Sequence, residues 1–249
     1  MSGRDDVLRD LVIGNRVLSN EGVVDAYGHI SARDPESPQR FLLSRSLAPE
    51  FVDFADIIEF GADGEPAGGD SRPLYIERFI HSAIYAARPD VMAVVHAHAE
   101  DVLPFGISRQ PLVPVIHSGA FIGGEVPVWD IADRFGDETN LLVTNGEQGA
   151  DLAKKLGANN VVLMRGHGFA AAAGSIVDVV RMSIYLPRNA RALSKALQLG
   201  AVKPLSQGEI WARSRGGGYR PNSPETWRAW QYWAHRAGCG DMLPERPEG

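Results

Sequence analysis

The sequence predicts an α/β fold, and three observations support this. Stretches with the 3.6-residue apolar period of amphipathic helices are interspersed with short apolar runs typical of buried strands. The N-terminal half is rich in such short runs, with short connections between them. With 44% hydrophobic and 22% charged residues among 249, the chain has the composition of a globular protein that buries a substantial core.

The first predicted elements are one helix and three short strands. Apolar residues within 6–19 share one helical face, which predicts an amphipathic helix. Strand runs bounded by turn residues follow at 25–34, Phe41–Ser44 and Ile57–Phe60. Because side chains alternate along a strand, we expect His29, Ser31 and Arg33 on one face of the first strand.

The clearest helix is predicted over residues 71–87. Ser71 can cap its first turn, Pro73 suits that turn, and the apolar residues that follow form one stripe. Glu77 lies on another face, four residues before His81 and eight before Tyr85. A helix of this kind, packed against the strand that follows it, can present Glu77 to a metal ion.

The remaining elements complete a predicted domain of residues 1–202. Strands are expected at 112–116, 141–144 and Val161–Met164, and a helix at 148–156. Ser175 and Asp178 have the spacing of a capping box and open a helix toward Leu199, which Pro187 is expected to kink or break. Residues 203–249, rich in tryptophan and with a loop at 214–221, are expected to form an extension that packs on the same or a neighbouring subunit.

Three histidines stand at or just past the ends of apolar runs. Val94 and Val95 lead into His96 and His98, whose spacing of two places both imidazoles on one side of a strand. His167 lies between two glycines, which permit a sharp turn. Neutral imidazoles bind divalent metals, and three protein ligands with open positions are typical of a catalytic ion. The alternative is a set of histidines whose hydrogen bonds are satisfied without a metal.

Taken in order, these motifs resemble the class II aldolase and adducin superfamily. The matching elements are Glu77, Arg-Pro-Asp at 88–90, Val-Val-His-Ala-His-Ala at 94–99 and the Gly-His-Gly around His167. Gly-His-Ile-Ser-Ala-Arg at 28–33 matches with one change, and Val-Pro-Val-Ile-His at 113–117 matches as well. The resemblance implies a three-layer α/β/α sandwich around a mainly antiparallel central sheet. It also implies a homotetramer with active sites at the subunit interfaces.

The same resemblance implies the chemistry of the site. His96, His98 and His167 would hold one divalent metal ion per subunit, and Glu77 would be the acid/base residue. A site of imidazoles and a carboxylate accepts several metals, with manganese or zinc expected before iron or cobalt.

The chain departs from the sugar-phosphate aldolases of this superfamily where they hold the phosphate. His29 stands where those enzymes carry Asn, and their phosphate turn is replaced by Ser-Arg-Ser-Leu at 44–47. Their Ser-Ser before the glutamate is Tyr75-Ile76 here, and Ser118 replaces a tyrosine proton donor. Arg45 offers a planar fork suited to a carboxylate. The pattern resembles the decarboxylase branch, which acts on hydroxylated aromatic or pyridine dicarboxylates, and the hydroxy-methylpyridine dicarboxylate decarboxylases in particular.

The resulting hypothesis is a metal-dependent carbon–carbon lyase, with a carboxy-lyase favoured over an aldehyde-lyase. The metal is expected to stabilise an enolate-like intermediate, and Glu77 to protonate the ring carbon after CO₂ leaves. A small carboxylate substrate is expected to bind to a set of polar residues, namely His29, Ser31, Arg33, Ser44, Arg45 and His117. The first alternative is a class II aldolase that performs a retro-aldol cleavage, because both reactions stabilise an enolate. The second is a non-catalytic adducin-like interaction module, which predicts no bound metal.

Composition excludes other classes of partner. A net charge of −6 without a long basic run does not suit a phosphate backbone, so no nucleic-acid partner is expected. No apolar run approaches the ~18 residues that a membrane helix requires. Cys239 is the only cysteine, which rules out an intrachain disulfide, and the charged N-terminus lacks the apolar core of a signal peptide. We therefore expect a cytoplasmic protein, and the resemblance to the decarboxylase branch implies an enzyme of aromatic-compound catabolism.

Overall fold

The computed structural model describes residues 3–214 and 223–244. Within these ranges a seven-stranded sheet is covered by helices on both faces, which confirms the predicted three-layer α/β/α fold. The strands are β1 (His29–Arg33), β2 (Phe41–Ser44), β3 (Ile57–Phe60), β4 (Ala93–Ala97), β5 (Val128–Trp129), β6 (Val161–Met164) and β7 (Gly168–Ala173). The helices are α1 (Arg4–Asn20), α2 (Arg78–Ala87), α3 (Leu103–Ile107), α4 (Ala132–Phe135), α5 (Gly146–Leu156), α6 (Ile176–Leu199), α7 (Gln207–Ser214) and α8 (Pro224–Arg236).

The sheet has the strand order β3-β2-β1-β4-β7-β6-β5 in the described chain, so β4 is its central strand. Every pair of neighbouring strands is antiparallel except β5 and β6, which are parallel. The sheet is therefore mainly antiparallel, as predicted. The end of β4, which carries His96, therefore lies between β1 and β7 at the centre of the sheet.

Two apolar cores hold the helices against the sheet. On one face, residues such as Leu11 of α1 and Val180 of α6 pack with Val95 of β4. On the opposite face, Ile84 of α2 packs with Val94 of β4, together with residues of α5. Adjacent residues of β4 thus point to opposite cores, as the period of two along a strand requires. His96 follows the same alternation and points to the face that α2 covers.

Helix α2 begins seven residues later than the sequence suggested. A helix over 71–87 would need the carbonyl of Pro73 to accept from the amide of Glu77, but that carbonyl accepts from the amide of Ser46 instead, at 2.8 Å. The segment before Arg78 therefore lies beside the residues that come after β2 and does not form a helical turn. Glu77 is consequently the residue that precedes the first turn of α2, not a residue in the middle of a helix.

Two predicted strands lie outside the sheet, because side chains satisfy their backbone groups. In 112–116, Asn189 accepts from the amides of Val115 and Ile116 and donates to the carbonyl of Val113. In 141–144, the amide of Val143 donates to Glu77 and that of Thr144 to Gln148. Both segments are loops that the side chains of Glu77, Gln148 of α5 and Asn189 of α6 hold in place.

Strand β7 was not predicted, and helix α6 is more continuous than predicted. The run of alanines in β7 has low β-propensity, yet small side chains let both helical layers approach the sheet closely. Helix α6 is capped by Ser175, which accepts from the amide of Asp178, and it continues through Pro187 without a break. Buried apolar residues on either side of Pro187, such as Leu186 and Ala190, offset the hydrogen bond that proline cannot donate.

The C-terminal segment packs on the same chain. Trp230 and Trp233 of α8 are buried in the core that contains α1, and Cys239 is fully buried there. The loop expected at 214–221 falls almost entirely outside the described residues. Among the helices of residues 3–214 and 223–244, none is long and apolar enough to cross a membrane.

Candidate metal centre

His96 is held rigidly at the end of the central strand. It is fully buried, and its Nδ1–H donates to the carbonyl of Phe169 on β7 at 3.0 Å. This hydrogen bond fixes the tautomer, so the Nε2 lone pair is the one available to a ligand. A backbone carbonyl behind a histidine in this way is the usual support for a metal-binding imidazole.

His98 and His167 approach His96 because of the pairing of β4, β7 and β6. Residues 165–167 form the tight connection from β6 to β7, with Gly166 at a φ of 67°. Phe169 of β7 pairs with Ala97 of β4, which places this connection beside His98. Nε2 of His98 lies 2.9 Å from Nε2 of His96 and 3.0 Å from Nε2 of His167. The Nδ1–H of His167 donates to the carbonyl of Leu141 at 2.9 Å, so its Nε2 also faces the cluster.

Gly168 permits this close approach, and we expect Gly168→Ala to disturb the centre. A Cβ at Gly168 would lie 2.2 Å from the carbonyl oxygen of Ala97 and 3.1 Å from Cα of His98. The backbone that carries His98 must then shift, so Tm should fall by roughly 2–10 °C and metal affinity should weaken. Gly174→Ala is the matched control, because the nearest atom beyond its chain neighbours is 4.0 Å away. Equal melting curves for the two variants would contradict this packing.

Glu77 is the fourth residue of the cluster. Its Oε1 accepts from the backbone amide of Val143 at 3.0 Å, which orients the carboxylate. Its Oε2 lies 3.2 Å from Nε2 of His96 and 3.4 Å from Nε2 of His167. The predicted grouping of Glu77 with the three histidines is therefore present in the structure, with all four ligand atoms within 4.8 Å of one another.

The donor set fits a divalent metal ion. The imidazole nitrogens lie 2.9 to 3.0 Å apart, so one divalent ion with ligand bonds of ~2.0–2.2 Å could be held by all three. Neutral imidazoles so arranged direct their Nε2 lone pairs at one another, an arrangement that a shared cation stabilises. Three histidines and one carboxylate suit zinc, manganese, iron or cobalt. The residues present therefore fit one ion, with His96, His98 and His167 as its holders.

The charges in the cluster follow from burial and proximity. Burial opposes the charged form of Glu77, but the adjoining imidazoles of His96 and His167 outweigh it and hold its pKa well below the usual range. Burial and the neighbouring histidines lower the pKa of His98 to about 4. For His167, burial is outweighed by the hydrogen bond and charge of Glu77, so its pKa is raised. At neutral pH the carboxylate is therefore ionised, and any acid role requires it to take up a proton from substrate.

A row of polar side chains crosses the end of the sheet next to this cluster. His29 of β1 pairs directly with His96 of β4. Ser31 pairs with Leu43 of β2, and Arg45 directly follows the last residue of that strand. Residues opposite one another share a face of the sheet, which directs His29 and His96 to the same side. Arg45 donates from Nε to Asp56 at 2.7 Å, and Ser44 beside it is fully buried.

Behind His29 lies a chain of buried hydrogen bonds that the sequence did not reveal. His29 Nδ1 is 2.6 Å from His81 Nε2, His81 Nδ1 is 2.6 Å from Ser31 Oγ, and Ser31 Oγ is 2.8 Å from the hydroxyl of Tyr85. Burial and neighbouring imidazoles lower the pKa of His81 to about 3 and that of His29 well below its usual value. Both rings are therefore neutral. The spacing of His81 and Tyr85 four and eight residues after Glu77 was the available signal.

Two predicted substrate contacts lie apart from the four ligands of the same chain, and the one at Arg33 is corrected. Arg33 is at the far end of β1 from His29, and its guanidinium donates to the carbonyls of Val91, Pro38, Tyr85 and Arg88. It therefore anchors the turn after α2 rather than binding substrate. His117 is exposed and lines a separate cavity of about 450 Å³ with residues of α6 and α7, away from the four ligands of the same chain. Ser31 faces His81 and acts behind His29.

Comparisons with known proteins agree with this geometry. The family described as Class II Aldolase and Adducin N-terminal domain matches residues 9–193. Decarboxylase tropJ of Talaromyces stipitatus is 40% identical over 213 residues, which cover 81% of this chain and 80% of that protein. A 3,4-dihydroxyphthalate decarboxylase of Arthrobacter keyseri is 31% identical over 220 residues, which cover 80% and 83%. A solved aldolase II superfamily protein from Pseudomonas syringae has a TM-score of 0.78 at 21% identity, covering 97% of this chain and 96% of that one.

Proposed function

The chain belongs to the family of class II aldolases and adducin N-terminal domains, and on that premise we propose that it is a divalent-metal-dependent decarboxylase of a hydroxylated aromatic or pyridine dicarboxylate. The observation that carries the proposal is the convergence of three imidazoles and Glu77 beside His29, which pairs with His96. Both relatives described above are named decarboxylases, in line with the predicted class of enzyme, a carboxy-lyase.

The metal requirement follows from the donor set. His96, His98 and His167 would hold one divalent ion, manganese or zinc before iron or cobalt. Bound there, the ion supplies a Lewis acid that stabilises negative charge on a substrate oxygen. The backbone carbonyls behind His96 and His167 keep both imidazoles in the tautomer that this role requires.

Glu77 moves the proton. Because its carboxylate is ionised, Oε2 can accept the proton of the ring hydroxyl when the substrate arrives. Loss of CO₂ leaves an electron pair at the ring carbon, and Glu77 returns the same proton to that carbon. The reaction balances without a redox partner: one carbon–carbon bond and one oxygen–hydrogen bond break, one carbon–hydrogen bond forms, and CO₂ and a product with an ionised ring oxygen leave.

Arg45 and His29 bind the carboxylate that is not lost. Nε of Arg45 is engaged by Asp56, and this contact turns the outer edge of the guanidinium away from Asp56. That edge is a planar pair of donors that matches a carboxylate. Partly buried Tyr75, whose ring centroid lies 4.4 Å from that of His29, confines the imidazole beside it. A cavity of about 410 Å³ borders His98, and residues of α6 line it as well.

The proposal is tested by measuring CO₂ release from 3,4-dihydroxyphthalate, with unsubstituted phthalate as the matched control. We expect release only from the hydroxylated compound, because the hydroxyl provides both the proton for Glu77 and the oxygen on which charge collects. Release of CO₂ from both compounds at equal rates would contradict the role of the hydroxyl. No release from any hydroxylated aromatic or pyridine dicarboxylate would overturn the decarboxylase assignment.

The class II aldolase remains the second candidate, because the same cluster stabilises an enolate. The segment at 44–47 lacks the Thr and Gly of a phosphate turn, and Tyr75 occupies the place of a small hydroxyl residue. An aldolase predicts release of an aldehyde from a sugar phosphate. An adducin-like interaction module predicts neither product and no requirement for the four ligands.

We further propose a cytoplasmic homotetramer with its active sites at subunit interfaces. In such an assembly, the cavity lined by His117 can face the metal centre of a neighbouring subunit, which would restore a role for His117 in substrate binding. Light scattering coupled to size-exclusion chromatography measures the mass in solution. A monomer that retains full activity would contradict this arrangement.

A further inference from the structure

We propose that Leu141 is a positioning residue for the metal centre, because its left-handed backbone lets one short loop hold both His167 and Glu77. The loop spans residues 139–144 and lies between α4 and α5. Its consequence for metal binding rests on the proposed function, whereas its contacts are given by the geometry alone. Leu141 acts through its backbone carbonyl, and its side chain has no part in the proposed role.

The loop binds two members of the cluster with backbone groups that are two residues apart. The carbonyl of Leu141 accepts from Nδ1–H of His167 at 2.9 Å, and the amide of Val143 donates to Oε1 of Glu77 at 3.0 Å. Val143 is fully buried, so water does not compete for this amide. Each member is therefore held by the atom that leaves its other polar atom, Nε2 of His167 or Oε2 of Glu77, facing the cluster.

Leu141 has a backbone conformation that leucine rarely adopts. Its φ is 66°, and it is the only residue other than glycine in the left-handed region within 3–214 and 223–244. Contact between Cβ and the following carbonyl oxygen makes this region roughly 5- to 30-fold less accessible to such a residue. A residue stays in such a conformation only where the surrounding contacts require it.

The peptide unit between Leu141 and Leu142 accounts for this requirement. A trans peptide is planar, so its C=O and N–H groups point in opposite directions. Here the carbonyl contacts His167, and the amide of Leu142 donates to Oδ1 of Asn140 at 3.1 Å. A return of φ at Leu141 to negative values would turn this unit and break both contacts. The left-handed conformation therefore keeps the carbonyl on the imidazole.

The two ends of the loop are fixed independently of the cluster. At its start, the hydroxyl of Thr139 accepts from the amide of Leu141 at 3.1 Å. At its end, the side chain of Gln148 on α5 accepts from the amide of Thr144 at 2.7 Å. Because both ends are held, a backbone change at Leu141 alters the contacts with the cluster rather than moving the loop as a whole.

The test compares substitutions that tolerate the left-handed region with one that does not. Asparagine and glycine adopt this region readily, whereas the β-branched side chain of valine strongly disfavours it. Metal-free proteins are titrated with Co²⁺, and binding is followed by the visible absorption of the ion. We expect Leu141→Asn and Leu141→Gly to bind within about threefold of the unmodified protein. Leu141→Val should bind about 10–100-fold more weakly, because the support behind a ligand is lost.

Side-chain packing alone predicts the opposite order of affinities. Leu141 packs against the core that contains α2 and α5, and valine keeps an apolar side chain there, whereas asparagine and glycine do not. Leu142→Val is the matched control, because Leu142 is also partly buried but its φ is outside the left-handed region. The control should bind Co²⁺ within about threefold of the unmodified protein.

Hydrogen exchange of the Val143 amide in metal-free protein provides the second readout. This amide should exchange at least about tenfold faster in Leu141→Val, while the amides of β4 keep their rates, because the loop and not the whole fold is disturbed. Unchanged exchange of Val143, or a Leu141→Val protein that binds Co²⁺ normally, would overturn the proposal. So would asparagine and glycine variants that bind as weakly as the valine variant. If even the unmodified protein binds no Co²⁺, the proposed function fails, and the exchange of Val143 decides the role of Leu141.

Discussion

We expect the His98→Ala variant to purify without a stoichiometric divalent metal and to lose at least about a thousandfold of its rate of CO₂ release. Nε2 of His98 is within 3.0 Å of the corresponding atoms of both His96 and His167, so its removal opens the centre of the ligand set. Lewis-acid stabilisation by a divalent ion contributes several kcal/mol to a transition state, and about 4 kcal/mol corresponds to this factor. His98 is less buried than His96, so the variant should keep its fold.

The measurement combines elemental analysis with a CO₂ assay on the same preparation. His235→Ala is the matched control, since this exposed histidine lies in the last turn of α8 and is not one of the four grouped ligands. The control should retain metal and activity. A His98→Ala protein that binds one ion per chain and turns over at the normal rate would remove His98 from the ligand set.

The second large effect is expected for Glu77→Gln, which should lower kcat by about 10²–10⁴ while the protein still binds metal. The amide oxygen can keep the hydrogen bond from Val143, so the side chain should stay in place, but it cannot carry the proton from the hydroxyl to the ring carbon. Because three histidines remain, metal content should stay near that of the unmodified protein. KM should change by less than about threefold, since the substrate contacts proposed for Arg45 and His29 are intact.

Glu147→Gln is the control for this substitution. Glu147 is an exposed residue of α5 that pairs with Arg134 at the surface, and exposed pairs contribute little. It should leave kcat unchanged. A Glu77→Gln protein with kcat within threefold of the unmodified value would show that another group moves the proton.

The metal ligands were predictable because their positions depend on local rules. Alternation along a strand places His96 and His98 on one side, and a glycine on each side of His167 indicates a tight connection. Their convergence additionally needs β7 to pair with β4, and that strand was missed because its alanines have weak β-propensity. The convergence of the three histidines on one site was predicted from the resemblance to a family, because local rules do not specify which strands pair.

Other features of the site depend on contacts between distant segments. Helix α2 begins later than predicted because the carbonyl of Pro73 accepts a hydrogen bond from the amide of Ser46, more than twenty residues earlier in the chain. Arg33 shares a strand face with His29, as alternation requires, but its guanidinium is taken up by backbone carbonyls around the turn after α2. Neither partner is visible in the spacing of residues along the chain. The helical spacing of Glu77, His81 and Tyr85 indicated a common face, but not the strand that supplies Ser31 between them.

Titration of metal-free protein with a divalent ion, with CO₂ release followed at each addition, tests the central claim most directly. We expect the rate to rise in proportion to added metal, to reach its maximum at one ion per chain, and to fall again when a chelator removes the ion. Full CO₂ release from the metal-free protein, before any ion is added, would contradict a catalytic centre built from His96, His98 and His167.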